Sequence, residues 1–128
     1  VSYSWQAPVW KNGRFRQGFN KLAPRDTVLV ADLTPAAVNR QWKPLDASKL
    51  SDRDAAGQIS PNHRGKCVNV LRLDGSVKRF ERPDVGAAQD NIYTASGNPN
   101  SGSRSATSLD LKKHLSENDT YLIGPVGR

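Results

Sequence analysis

The chain has 128 residues, an apolar fraction of 36% and a formal net charge of +7. This length suits one domain with one hydrophobic core, and the single cysteine, Cys67, excludes an intramolecular disulfide and a zinc site built from several thiolates. No stretch approaches the roughly 20 apolar residues of a transmembrane helix, and no signal peptide is visible. The positive charge favours anionic partners, although it is spread along the chain as on an ordinary solvated surface. We therefore predict one globular domain over residues 1–128.

The first half of the chain contains two local patterns that predict structure. Asn12-Gly13 lies between Val9-Trp10 and Arg14-Phe15, and both Asn and Gly accept a positive φ, so we expect a tight hairpin there. Residues 27–31 form a continuous β-branched and apolar run, which predicts a buried strand. Thr34 and Pro35 then suit a helix N-cap and a first helical position, which predicts a helical turn over 36–42.

The strongest pattern predicts a β-hairpin over residues 67–81, turned on Asp74-Gly75. This residue pair favours a two-residue type I′ turn, which would pair Leu71 with Lys78 and Asn69 with Phe80. The same register would create one core face and a second apolar face for a partner element. The core face would carry Cys67, Leu71, Leu73 and Phe80, and the second face Val68, Val70 and Val77.

The rest of the chain predicts loops with a few short elements. Residues 43–62 and 96–108 read as loops, with a short helix near 51–56. Residues 91–94 and 120–123 read as short strands, and 109–115 as one or two helical turns capped by Thr107 or Ser108. The predicted class is a β-rich α+β domain, a small antiparallel sheet with long loops and short helical turns. Because no long amphipathic helix is present, the sheet lacks an obvious layer to pack against.

The sequence contains no catalytic constellation that we recognise, so we predict no enzymatic activity. There is no Gly-x-Ser-x-Gly nucleophile motif, and no titratable groups are spaced as an acid and base pair. His114 follows Lys112 and Lys113, and we expect this histidine to be solvated.

Two ligand sites remain open as alternatives to a purely structural role. Asp84, Asp90 and Asn91 form an oxygen-rich stretch that could bind calcium, although the spacing fits no EF-hand and turn formation explains the same composition. No other cofactor is expected. A basic cluster of Arg72, Arg79 and Arg82 could bind an anion, which would suit a cell-surface module for DNA or acidic polysaccharide.

One segment resembles a known family. Residues 62–80, NHRGKCVNVLRLDGSVKRF, resemble the signature of bacterial prepilin-type proteins, which include type IV pilins and type II secretion pseudopilins. That signature has a histidine, a glycine-rich turn, an Asn-Val-Leu strand, an Asp-Gly pair and a returning strand that ends in an aromatic residue. The matching residues are His63, Asn69, Asp74 and Gly75. The spacer between the histidine and the aspartate has ten residues here and nine in the family, which predicts a longer turn around 64–66. Shorter similarities follow in the family's order at 2–4, 24–32, 90–94 and 118–122.

The resemblance implies a structural protein. Prepilin-type proteins begin with a peptidase site and a long apolar helix that anchors the subunit in the membrane and later in a filament, and their sheet packs on that helix. We therefore expect such a helix to precede Val1 and to supply the missing layer. The implied partners are other pilin-like subunits or copies of this chain, and the implied location is the periplasm or the cell surface. Some secretion pseudopilins bind calcium in a late loop, which favours the stretch 84–91. We expect His63 to be structural and hydrogen-bonded near the base of the hairpin.

Overall fold

The computed structural model describes residues 3–17, 25–100 and 102–124; Ser2 and Pro24, which belong to the segments quoted for the family resemblance, lie outside them. The strands in the described segments are β1 (Tyr3–Gln6), β2 (Val9–Lys11), β3 (Arg14–Arg16), β4 (Val28–Asp32), β5 (Val68–Arg72), β6 (Val77–Phe80) and β7 (Leu122–Ile123). The helices are α1 (Pro35–Val38) and α2 (Asp52–Ala55). Single 3₁₀ turns lie at Ala47–Lys49, Ala56–Gln58 and Leu111–Lys113, and two further turns, which contain residues with positive φ, lie at Asn62–Gly65 and Ala87–Gln89.

The strands form one antiparallel sheet and a separate ribbon. The sheet has the order β6-β5-β4-β1-β7, and β2 and β3 pair with each other as a two-stranded ribbon. The predicted β-rich α+β class with a small antiparallel sheet and short helices is confirmed at this level. No helix among the described residues is long and apolar enough to cross a bilayer.

Strand β1, which lies between β4 and β7, was not predicted. Its residues alternate regularly, but the polar side chains face inward: Ser4 and Gln6 are buried, whereas Tyr3 and Trp5 are exposed. The Ser4 hydroxyl accepts a hydrogen bond from the Thr34 N–H (2.7 Å), which satisfies its burial. A pattern with polar residues inside cannot be recognised from hydrophobic periodicity, because that method assumes the reverse.

The predicted strand over 27–31 is confirmed as β4, and it contains a β-bulge. Val28 pairs with Arg72, but Val30 pairs with Leu71, so the register shifts between the two valines. In a regular strand both valines would point to the same side. The bulge instead leaves Val28 fully buried inside and turns Val30 to the opposite, partly exposed face.

The hydrophobic core lies on one face of the sheet, which we call the inner face. Its side chains pack against loops and not against a long helix. The buried cluster consists of Val28, Ala31, Val68, Val70 and Leu122 from the sheet with Ile59, Ile92 and Tyr93 from the loops. Trp42, Phe80 and Val85 pack on its margin. The long polar loops predicted from the sequence therefore form the second layer of the domain.

The hairpin β5–β6 forms as predicted, but the predicted register is wrong by one residue. Leu71 pairs with Val77 and Val68 pairs with Phe80. The loop has three residues, and Gly75 alone in it takes a positive φ (85°), as in a type I turn followed by a G1 bulge. The Leu73 N–H donates a hydrogen bond to the Thr27 carbonyl oxygen (2.8 Å), which holds the loop against the chain before β4.

This shift reverses the predicted faces of β5 but not those of β6, where Phe80 packs on the core as predicted, because side chains alternate along a strand. Val68 and Val70, assigned to the second face, are fully buried in the core. Leu71, assigned to the core face, lies on the opposite side with Val77, which is 65% exposed. Cys67 is buried, as expected of a small apolar residue.

The remaining elements differ from the predictions mostly at their ends. The Asn12-Gly13 turn is confirmed, with φ angles of 51° and 73°. Helix α1 is preceded by Thr34 as predicted, but the Thr34 side chain makes no capping bond. Residues 91–94 form a single bridge, between Tyr93 and Tyr121, and not a strand.

The predicted helical segment 109–115 contains one 3₁₀ turn, Leu111–Lys113. Its cap is Asp110 and not Thr107 or Ser108. The Asp110 carboxylate accepts a hydrogen bond from the Lys112 N–H (2.9 Å), as a helix N-cap does.

Candidate functional site

The face of the sheet opposite the core carries a continuous apolar row. Five directly paired residues, one from each strand, form it: Ile123, Trp5, Val30, Leu71 and Val77. Paired residues of neighbouring antiparallel strands point to the same side, so these side chains lie next to one another. We call this side the open face and these five residues the apolar row.

Most of the apolar row is uncovered by the described parts of the chain; at one end, Ile123 packs partly against a second buried cluster, Ala7, Ala95 and Tyr121. Val77 is 65% and Trp5 43% exposed, and the other three side chains are partly exposed. Tyr3, at 58% exposure, extends the apolar surface beside Trp5. A groove of about 410 Å³ lies along part of this surface, where its apolar lining includes Tyr3, Val30, Leu71 and Val77. Contiguous apolar surface of this kind marks interaction sites more often than isolated exposed residues do.

A polar corner borders one end of this groove, and it contains two of the family-signature residues. His63 Nε2 lies 3.3 Å from the Asp32 carboxylate and 3.1 Å from the Asn69 side-chain amide. The Asn69 backbone N–H donates to the same carboxylate (2.7 Å). Asp32 is buried, whereas the His63 side chain is about half exposed. The sequence indicated His63 and Asn69 but missed Asp32, which comes from the neighbouring strand.

The turn that presents His63 has an unusual backbone. His63, Arg64 and Gly65 have φ angles of 54°, 59° and 70°, so three consecutive residues are left-handed. Such a conformation costs free energy for residues other than glycine. The contacts of the imidazole with Asp32 and Asn69 offset part of that cost. This segment overlaps residues 64–66, where the resemblance predicted a longer turn.

The other two signature residues, Asp74 and Gly75, lie in the hairpin loop and not at the polar corner. The Asp74 carboxylate accepts a hydrogen bond from the Ser76 N–H (2.9 Å). Hydrogen bonds from Ser76 lower the pKa of the Asp74 carboxyl group. This geometry closes the turn, and it accounts for both residues without a ligand.

Two of the three arginines of the predicted anion site, Arg79 and Arg82, line one cavity of about 700 Å³, and Arg72 does not line it. The Arg72 guanidinium lies over the Phe80 ring (5.4 Å), and Arg79 stands on the open face opposite Asn69. Arg82 donates to Asp84 (3.0 Å) and to Asp52 (2.9 Å). The charge of Arg82, one of the three arginines, is therefore neutralised locally by two carboxylates.

The predicted calcium ligands each bond to other groups of the protein. Asp84 is held by Arg82 and Arg104, each at 3.0 Å. The Asn91 side-chain oxygen accepts a hydrogen bond from the Tyr93 N–H (2.9 Å). In the described part of the chain, no group of three or more His, Cys, Asp or Glu side chains is arranged to hold a metal ion.

Asp90, the third predicted ligand, instead forms a buried pair with Asp119. Both residues are fully buried. The Asp90 carboxylate accepts from the N–H groups of Ser103 (2.9 Å) and Thr120 (2.5 Å), and that of Asp119 accepts from Ser96 N–H (2.7 Å). The pair thus connects three late loops of the chain.

The electrostatics of this pair favour a shared proton. Burial raises the pKa of Asp90 to about 7. Burial together with the neighbouring Asp90 charge raises the pKa of Asp119 to about 9. One oxygen of Asp119 has no hydrogen-bond partner within the described residues. Two carboxyl groups in contact cannot both ionise cheaply, so one of them holds a proton near neutral pH.

His114 is buried, so the prediction that it is solvated was wrong. Its Nδ1 lies 3.1 Å from the Pro8 carbonyl oxygen and its Nε2 lies 2.7 Å from that of Asp119. The ring stands edge-on to Tyr121. The chain before β2 and the loop at 119 cover this side chain. The neighbouring residues Lys112 and Lys113, on which the prediction rested, did not indicate this burial.

No family model, curated protein or solved structure matches the chain. The resemblance to prepilin-type proteins therefore stays a hypothesis that depends on the sequence motifs.

Proposed function

We propose that this domain is a structural subunit, the pilin- or pseudopilin-like head of an exported protein, which assembles by packing its open face against an apolar helix. The observation that carries the proposal is the apolar row, which crosses all five strands of the sheet without interruption. The motif at residues 62–80 supports the same interpretation independently, because prepilin-type heads pack their sheet on such a helix.

The inverted alternation of β1 also favours a covered face. A sheet with one solvated face places its polar side chains outward and its apolar side chains inward. Strand β1 does the opposite: it buries Ser4 and Gln6 and exposes Tyr3 and Trp5. Such an arrangement stabilises the assembled protein if a partner covers the two aromatic rings.

The dimensions of the apolar row suit a helix. Strands lie about 4.8 Å apart, so five strands span roughly 19 Å. A helix rises 1.5 Å per residue, so a segment of about 13 residues covers that distance. Burying each large side chain of the row would contribute about 1.5–3 kcal/mol before the cost of association is subtracted.

The polar corner gives this surface an orientation. His63, Asp32 and Asn69 lie at one end of the groove, and no comparable polar group lies within the apolar row. A helix that places a hydrogen-bonding residue beside His63 would dock in one register. In this proposal the site recognises a partner and performs no chemistry, and the protein acts in the periplasm or at the cell surface.

Site-specific photo-crosslinking in the native host tests the proposal. A photoreactive phenylalanine analogue replaces Val77 on the open face, with the same analogue at Leu45 as a matched control, since Leu45 is also apolar and 48% exposed. We expect Val77 to give crosslinks to an apolar helical segment of a pilin-like subunit, identified by mass spectrometry, and Leu45 to give few. Equal crosslinking from both positions, or adducts from Val77 only with solvent, would contradict the proposal.

A further inference from the structure

The β2–β3 ribbon lies outside the main sheet and carries a concentration of positive charge. Residues 11–17 are all exposed, and they include Lys11, Arg14 and Arg16. Strand β2 packs on the turn Leu111–Lys113, which adds two more exposed lysines, Lys112 and Lys113. We call the ribbon and this turn together the basic arm.

The charge of the basic arm is not neutralised by ion pairs within the described residues. None of the four ion pairs found there involves any of its five cationic side chains. The ribbon and the turn contain no carboxylate, and Asp110, which directly precedes the turn, caps it by accepting a hydrogen bond from the Lys112 N–H. This differs from Arg82 and Arg104, whose guanidinium groups are bound to carboxylates.

Two aromatic rings lie on one side of the ribbon. Trp10 and Phe15 are paired across the strands, and their rings meet edge to face at 4.7 Å. The Lys112 ammonium stands over the Trp10 ring at 5.1 Å. Phe15 is 48% exposed and therefore offers a free ring surface beside cationic groups.

The arm is held in place by the buried His114. The His114 carbonyl oxygen accepts a hydrogen bond from the Trp10 N–H (2.7 Å), and its ring Nδ1 lies 3.1 Å from the Pro8 carbonyl oxygen. The ribbon itself is closed by the Asn12-Gly13 turn with its two positive φ angles. A surface fixed at both its base and its tip loses little conformational entropy when it binds a ligand.

We infer that the basic arm binds single-stranded nucleic acid, with Phe15 stacking on a base and the five cationic side chains contacting phosphates. Stacking on an exposed aromatic ring requires a base that is not already stacked in a duplex, which favours a single strand. An acidic polysaccharide also carries anionic groups, but it has no aromatic base to stack on Phe15, which favours a nucleic acid. This surface is distinct from the open face and from the predicted cluster of Arg72, Arg79 and Arg82.

Fluorescence anisotropy with a labelled oligothymidylate of about ten nucleotides tests the inference, in about 50 mM salt. We expect binding whose affinity falls as salt rises, with a logarithmic slope of roughly −2 to −3.5 for three to five phosphate contacts. Phe15→Ala should weaken binding about tenfold, within the range of one lost stacking contact, and Phe15→Trp should restore it. Phe15 is half exposed, so neither variant should unfold the domain, and circular dichroism checks this.

A matched pair of charge-reversal variants distinguishes binding at the basic arm from non-specific electrostatic attraction of the strand to the positively charged protein. Lys11→Glu, Arg14→Glu and Arg16→Glu together should abolish binding. The same number of reversals at exposed positions elsewhere, Lys43→Glu, Lys49→Glu and Arg53→Glu, should weaken binding less than threefold. The inference is overturned if both triple variants lose binding equally, if Phe15→Ala has no effect, or if the wild-type protein prefers heparin, duplex DNA or anionic vesicles to the single strand.

Discussion

The two faces of the main sheet both carry apolar side chains, but loops bury one face and leave the other exposed to solvent. On the inner face Val68 and Val70 are completely buried under loops, whereas on the open face Leu71 and Val77 remain in contact with solvent. The larger rings, Trp5 and Tyr3, are on the open side. The comparison shows that the loops cover only one of two apolar faces: large groups such as Tyr93 and Leu122 are buried with the inner face, whereas the apolar groups of the open face stay in contact with solvent.

The largest expected effect comes from truncating neighbouring residues on the two faces. Val70→Ala removes two buried methyl groups at about 0.8 kcal/mol each and leaves a cavity, so we expect it to lower the free energy of unfolding by about 2–3 kcal/mol. Leu71→Ala removes more atoms but from a partly exposed side chain, and should cost less than about 1 kcal/mol. Urea denaturation of the isolated domain measures both. If Leu71→Ala proved the more damaging, the assignment of the faces would be wrong.

A second prediction concerns the loops on the side of the core. The carboxyl groups of Asp90 and Asp119 have raised pKa values in the folded state. Their contribution to stability is therefore complete below the unfolded pKa of 3.8 and is lost as the pH rises through about 7 and about 9. We expect the free energy of unfolding to fall from mildly acidic to alkaline pH.

Asp119→Asn should remove most of this pH dependence. The amide keeps an oxygen for the Ser96 N–H and supplies a donor for Asp90, so the variant should be more stable than the wild type by about 1–2 kcal/mol at pH 8. Asp26→Asn, at an exposed position, is the control and should leave the pH profile unchanged. Thermal unfolding across pH measures these effects. If added calcium stabilises the wild type at pH 8 but not Asp119→Asn, a cation and not a proton neutralises the pair, and the calcium prediction would apply at Asp90.

The smallest expected effect is at the polar corner of the open face. His63→Ala removes the partner of the Asn69 amide and places alanine at a φ of 54°, so we expect a loss of about 1 kcal/mol. His63→Asn should lose less, because asparagine tolerates the left-handed region and keeps a polar side chain. Denaturant titration of the two variants measures the difference. An alanine variant as stable as the wild type would exclude a structural role for His63.

Local patterns in the sequence predicted the turns and the main strands well. The residue pair Asn12-Gly13 and the glycine at 75 have positive φ angles, as their residue types favour, and the β-branched run at 27–31 became β4. The candidate site was predictable only in part. His63 and Asn69 were indicated by the motif, but the apolar row could not be, because it depends on pairing among five strands distant in sequence.

The sequence by itself determined where the chain turns and which short segments extend, because those preferences belong to individual residues and their neighbours. The tertiary structure decided which face each side chain occupies. A hairpin loop of three residues instead of two moved Leu71 out of the core, and a bulge moved Val30 with it. The physical reason is that a shift of one residue reverses every side chain of a strand, and the contacts that select the register come from distant parts of the chain.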